Sequence, residues 1–131
     1  GKLSGLDQPR QGESRAGPVT DYASLVANLR AAGASVKPGE EVDQPFFSVT
    51  GKMIEVHGED VQVFQYADAA AAAAQAALVS PSGSAVGTTR ILWVGPPHFF
   101  KKGRLIVLYV GDNDIVLSAL EAVLGRQFAG R

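Results

Sequence analysis

The chain has 131 residues and 46% hydrophobic content, enough for one domain around a single filled core. With 12 Lys and Arg against 13 Asp and Glu, the net charge of −1 offers no strong field to hold nucleic acid or an anionic membrane surface. The absence of cysteine removes disulfides, thiolate metal sites and thiol catalysis together, and leaves the redox compartment open.

Gly1 to Pro18 are rich in Gly, Ser, Pro, Gln and alternating charge, with Leu3 and Leu6 the sizeable apolar groups. Such a segment cannot offset the entropy of ordering and reads as a flexible N-terminal tether (1–18) to a single α+β domain (19–131). Thr20 or Asp21 is placed to cap a helix whose Tyr22, Leu25, Val26 and Leu29 fall at i, i+3, i+4 and i+7, with Gly33 as its stop. Lys37-Pro38-Gly39 and the acidic Glu40-Glu41-Val42-Asp43 run predict a short strand and a solvated loop, after which Phe46-Phe47-Ser48-Val49 begins the sheet.

Two stretches then look like copies of one strand-strand-helix unit. In the first, Lys52 to Val56 turns at His57-Gly58-Glu59-Asp60 into Val61 to Tyr66, and Asp68 opens an alanine-rich helix reaching Leu78. Alanine is the best helix former and lets a helix approach a sheet closely. The apolar run Ala69 to Val79 is too short to span a bilayer, so the chain is expected to be soluble. In the second unit, Thr88 to Val94 reads as strand, is interrupted at Gly95-Pro96-Pro97 because neither proline can donate to a ladder, and resumes at His98. The chain turns at Lys102-Gly103 into Leu105 to Val110, apolar without alternation, as in a strand buried on both faces. Asp112-Asn113-Asp114 opens a last helix that buries Val116, Ala119, Leu120 and Val123 and stops at Gly125, leaving Phe128 to pack back. The expected order is α-ββ-α-ββ-α, an antiparallel sheet of four to five strands packed by helices on one face. The two units would be related by a pseudo-twofold axis, as in ferredoxin-like or permuted ferredoxin-like domains. That likeness concerns fold and carries no function.

The densest group that could carry chemistry is Trp93, His98, Phe99, Phe100, Lys101, Lys102 and Arg104, around the second hairpin. Aromatics beside cations on a sheet suit stacking against bases, which invites comparison of Lys102 to Tyr109 with the RNA-recognition-motif signature. Lys102, Gly103, Val107 and Tyr109 agree with it, but Arg104 and Ile106 occupy its two internal aromatic positions, so no nucleic acid is expected as a partner. The plain reading is core aromatics on one face and a solvated Lys-Lys-Gly turn; the other is a ligand or protein contact at this hairpin. His57 and His98 are the only histidines and lack the HxH or HxxxH spacing of a metal site, so neither metal nor cofactor is expected. Asp68 and the Asp112-Asn113-Asp114 cluster sit where strands hand over to helices, where capping explains them better than paired catalytic carboxylates. Ser48, Ser80, Ser82, Ser84 and Ser118 form no G-x-S-x-G elbow, and Gly87, Gly95 and Gly103 no phosphate-binding fingerprint. An enzyme is therefore the less favoured reading.

Three segments, Gly58 to Tyr66, Trp93 to Phe100 and Gly103 to Gly111, together resemble a group of small uncharacterised bacterial proteins that are lipoprotein-like or secreted domains. The likeness spans about Tyr22 to Gly130. It implies a bacterial cell-envelope or secreted location and supplies no catalytic or binding residues. No signal-peptide pattern or lipobox cysteine precedes the domain, so a membrane would be reached only through a tether absent from this chain, and a cytoplasmic location stays open. The expected function is that of a non-enzymatic envelope domain binding an unknown protein or small molecule through the sheet face or the hairpin from 93 to 104. One alternative is a dimeric ferredoxin-like enzyme or ligand-sequestering protein whose cleft is lined by Tyr66, His98 and Tyr109. Another is assembly through an exposed strand edge, with a homodimer as one outcome.

Overall fold

The computed structural model describes residues 17–130. The expected tether lies outside the described residues apart from Gly17 and Pro18, and Gly17 is held there by the Asn28 side-chain amide, which donates to its carbonyl at 3.0 Å. Helix α1 (Tyr22–Ala31) is capped reciprocally: Asp21 Oδ1 accepts from the Ser24 N–H and Ser24 Oγ from the Asp21 N–H, both at 2.9 Å. Its apolar stripe is the expected one, with Leu25 and Leu29 fully buried.

Strand β1 (Val36–Val42) follows, interrupted by a register shift between Pro38 and Glu41. Pro38, the bulge and the exposed Glu40 and Glu41 blunt this outer strand against further pairing. Phe46 to Val49 do not begin the sheet as expected. They lie in turns before β2 (Gly51–Val56), because Phe47 folds over the sheet, its ring centroid 4.7 Å from that of Phe64. The first hairpin turns on two residues, His57 (φ 51°) and Gly58 (φ 84°), the twin positive φ angles of a type I′ turn. Glu59 and Asp60, expected in the turn, thus open β3 (Glu59–Gln65).

Asp68 caps α2 (Ala69–Ala76) by accepting from the Ala71 N–H at 2.8 Å, and the helix ends two residues short of Leu78. Beyond it, β4 (Ala85–Val86) and β5 (Thr89–Arg90) make a separate small hairpin. The strand expected over Thr88 to Val94 does not continue past Arg90; sheet pairing resumes at Pro97 with β6 (Pro97–Lys102). Pro97 is tolerated as the first residue of its strand. A tight turn at Gly103 leads to β7 (Leu105–Val110), then α3 (Asp114–Leu124) and β8 (Ala129–Gly130). Asn113 caps α3, accepting from Ile115 N–H at 2.9 Å, so it is the second residue of the Asp-Asn-Asp cluster that caps.

Among the described residues the molecule is α+β, with three helices and an antiparallel sheet of six strands in the order β1-β2-β3-β7-β6-β8, where four to five were expected. A ferredoxin-like order is not confirmed: the last strand, β8, pairs with β6 at one edge of the sheet, and two further strands, β1 and β2, extend the other edge. Helices cover both faces, not one. Ile54, Val56, Val61, Val63, Phe100, Leu105, Val107 and Tyr109 meet Leu25 and Leu29 of α1 and Val116, Leu120 and Leu124 of α3. On the opposite face Phe64, Tyr66, Phe99, Ile106 and Leu108 meet Ala72 of α2 together with Phe47, Val79 and Val86. Leu105 to Tyr109 are buried throughout, as expected of a strand between two cores. The two strand-strand-helix units pair through β3 and β7, with Val63 opposite Val107, yet send their helices to opposite faces.

Candidate functional site

Alternation along β6 separates the residues that the sequence groups together. Phe99 points toward the α2 face and Phe100 toward the α1/α3 face, at 0% and 2% exposure, so both are core side chains. Lys102 is exposed and Lys101 half-buried at the far end of the strand. Arg104 turns back to the start of α1, where its guanidinium lies 3.9 Å from Asp21 and donates to the Ala67 carbonyl at 3.4 Å. The cations therefore do not border the aromatics as one surface.

Tyr66, His98 and Tyr109 are not brought together either. Tyr66 lies in the α2-face core and its hydroxyl donates to Gln75 at 3.3 Å; burial raises its phenol pKa. His98 and Tyr109 stand opposite each other on the other face, rings stacked at 6.0 Å. Around this pair the structure assembles residues that sequence reasoning missed: Glu59, Asn113 and Gln127. Tyr109 donates to Glu59 Oε1 at 2.5 Å, Asn113 Nδ2 donates to Glu59 Oε2 at 2.7 Å, and the Asn113 N–H donates to the Tyr109 hydroxyl at 3.2 Å. Burial, then the hydrogen bond to Glu59, pushes the Tyr109 phenol up to about 12. The same bonds, from Tyr109 first and Asn113 second, hold the Glu59 carboxyl below its ordinary value.

His98 Nε2 donates to the Gly111 carbonyl at 2.8 Å, which fixes the proton on that nitrogen because a carbonyl can only accept. Nδ1 lies 2.7 Å from the Gln127 side-chain oxygen Oε1, while Gln127 Nε2 donates to the Ala129 carbonyl. Each ring nitrogen of His98 thus has a protein oxygen within hydrogen-bond distance. A cavity of about 300 Å³ adjoins it, with Asp114, Ser118 and Glu121 on the α3 wall. His98 directs its ring nitrogens to Gln127 and Gly111, and no hydrogen bond joins Ser118 to a base among the described residues. Among the described residues no three or more His, Asp and Glu side chains cluster as a metal site, and no helix is long and apolar enough to cross a membrane.

A second concavity lies just before β6. Trp93 is half-buried, its indole N–H donating to the Gly83 carbonyl at 2.7 Å and its ring set edge-on to Phe46 and Phe99, each at 5.9 Å. Ile91, Leu92, Trp93, Pro96 and Pro97, with Ser82 and Ser84, line a cavity of about 430 Å³. Along this segment Ile91 and Trp93 pack inward while Leu92 and Val94 are fully exposed, at 100% and 103%. Trp93 is thus the one expected site residue of this segment, and Leu92 and Val94 are the two that its sequence does not single out. The signal available was the unbroken apolar run Ile91-Leu92-Trp93-Val94, which reads equally well as a buried strand.

No family model, no curated protein and no solved structure matches this chain.

Proposed function

We propose that this chain is a non-enzymatic binding domain of the bacterial cell envelope that holds a protein partner at the segment Ile91–Val94. One observation carries the reading: two large apolar side chains, Leu92 and Val94, stand entirely in water beside a half-buried tryptophan and a cavity. Exposed apolar groups concentrated beside a concavity mark contact surfaces more often than exposed apolar groups in isolation. The sheet face is a poor contact surface, since helices and loops cover both sides. The hairpin from 93 to 104 contributes its first residue, Trp93; Phe99 and Phe100 serve the core. The envelope location rests on the resemblance to lipoprotein-like and secreted domains.

Site-specific photocrosslinking tests this reading. Benzoylphenylalanine placed at Leu92 or Val94 in the native cells should form a discrete adduct larger than the chain itself, while the same group at exposed Glu55 on β2 should not. Equal adduct patterns at all three positions, or none at Leu92 and Val94, would discard it.

A further inference from the structure

We propose that the partner at Ile91–Val94 is an extended peptide segment that adds as a strand to the backbone of Leu92–Gly95, with apolar side chains at alternate positions and a carboxylate facing Arg90. The inference rests on this segment being the contact surface and names what occupies it. Its own support is the backbone. Leu92, Trp93, Val94 and Gly95 use none of their main-chain N–H or C=O groups in hydrogen bonds to described residues, although the segment is flanked by bonded positions: Ile91 N–H donates to Ser84 and the Pro96 carbonyl accepts from Gly111. An apolar stretch with unpaired backbone and an inward-outward side-chain alternation is a strand lacking its neighbour. Strand addition supplies hydrogen bonds along the backbone and takes specificity from alternate side chains.

The outward row fixes the partner's chemistry. Arg90, Leu92 and Val94 are exposed in alternation with half-buried Ile91 and Trp93, so one cation and two apolar groups point the same way. No ion pair engages Arg90 among the described residues. Ile91 to Pro97 carry no charged side chain, so the acidic position falls at one end of the partner segment, beside Arg90. A second copy of this chain is a weaker occupant. Two exposed side chains are a small part of the roughly 800 Å² that each partner buries in a stable interface.

The test uses the full chain against a phage-displayed library of random eight-residue peptides, with a Leu92→Ser/Val94→Ser double variant as counter-target. Both positions are fully exposed, so the variant should fold as the parent does. Enriched peptides should alternate apolar residues and end in Asp or Glu, at the C-terminal end for antiparallel pairing and at the N-terminal end for parallel pairing. Their binding should change the fluorescence of Trp93, the chain's one tryptophan, and should protect the Leu92 to Gly95 amides from hydrogen exchange. N-methylation of two pairing amides in the peptide should weaken binding about tenfold, and Arg90→Glu should weaken acidic-ended peptides by up to about fivefold. Peptides that bind equally well when N-methylated overturn strand addition while leaving the crosslinking result, and the contact surface, intact. No enrichment over the double variant, or a dimer in which the same amides become protected without peptide, also overturns it.

Discussion

At Tyr109 one hydroxyl donates to Glu59 and accepts from the Asn113 backbone, so a single side chain joins the start of β3, the end of β7 and the N-terminus of α3. Asn113 contributes three times: to Glu59, to Tyr109 and, through Oδ1, to the helix cap. Asn113→Ala should destabilise the fold by roughly 1–2 kcal/mol, the cost of a lost N-cap, in urea denaturation. The carboxylate sets a pH dependence. Below about pH 4.5 the unfolded chain takes up the Glu59 proton before the folded one, so stability is present above that pH and is lost as pH falls through the depressed folded value. Asp21 adds to the same acid limb, its carboxyl lowered by the Ser24 backbone N–H, the Ser24 hydroxyl and the Arg104 charge, against some desolvation. Glu59→Gln should therefore flatten the acid limb in part, read as Tm against pH. On the alkaline side the unfolded chain releases the Tyr109 proton near 10 and the folded chain near 12, so stability present below pH 10 falls as pH rises through that window. Tyr109→Phe should lessen that fall and leave a remainder from Tyr66, whose phenol is also raised.

Element by element, the helices were the most legible parts. The stripe Tyr22, Leu25, Val26 and Leu29 and the caps Asp21 and Asp68 are local patterns, and each appears where it was read. Asp68→Ala should cost about 1 kcal/mol, measurable by urea denaturation, since α2 is short and depends on its cap. Strand boundaries were less legible because apolar runs look alike whether they pair or not. Ile91 to Val94 has the composition of a strand, but Pro96 and Pro97 remove two donors and only Pro97 to Lys102 pair with β7. Phe46 and Phe47 failed in the same way: two large aromatics suggest a strand, and here they cover one from above.

For the molecule as a whole, β7 is shared by two cores, one under α1 and α3 and one under α2. Neither face can lose its packing without exposing the other side of the same strand. Unfolding should then be a single transition, with Trp93 fluorescence reporting the α2 face and helical circular dichroism dominated by the opposite face. Two separated midpoints would show that the faces unfold independently. Phe99→Ala and Phe100→Ala should each cost about 3–5 kcal/mol, though the two rings lie on opposite sides of β6.

Periodicity, capping residues and glycine turns act within a few residues, so the sequence by itself determined the α+β class, the helices α1, α2 and α3, the hairpins β2–β3 and β6–β7, and the burial of Leu105 to Tyr109. The side to which each helix folds, the sixth strand, and the meeting of Glu59, Tyr109, Asn113, His98 and Gln127 depend on contacts between residues as far apart as Glu59 and Asn113. Those were decided by the tertiary structure alone. The same holds for Leu92 and Val94: hydrophobicity says that a side chain gains by burial, and only the packing of Trp93 on Phe46 and Phe99 reveals which face of that segment the fold leaves in water.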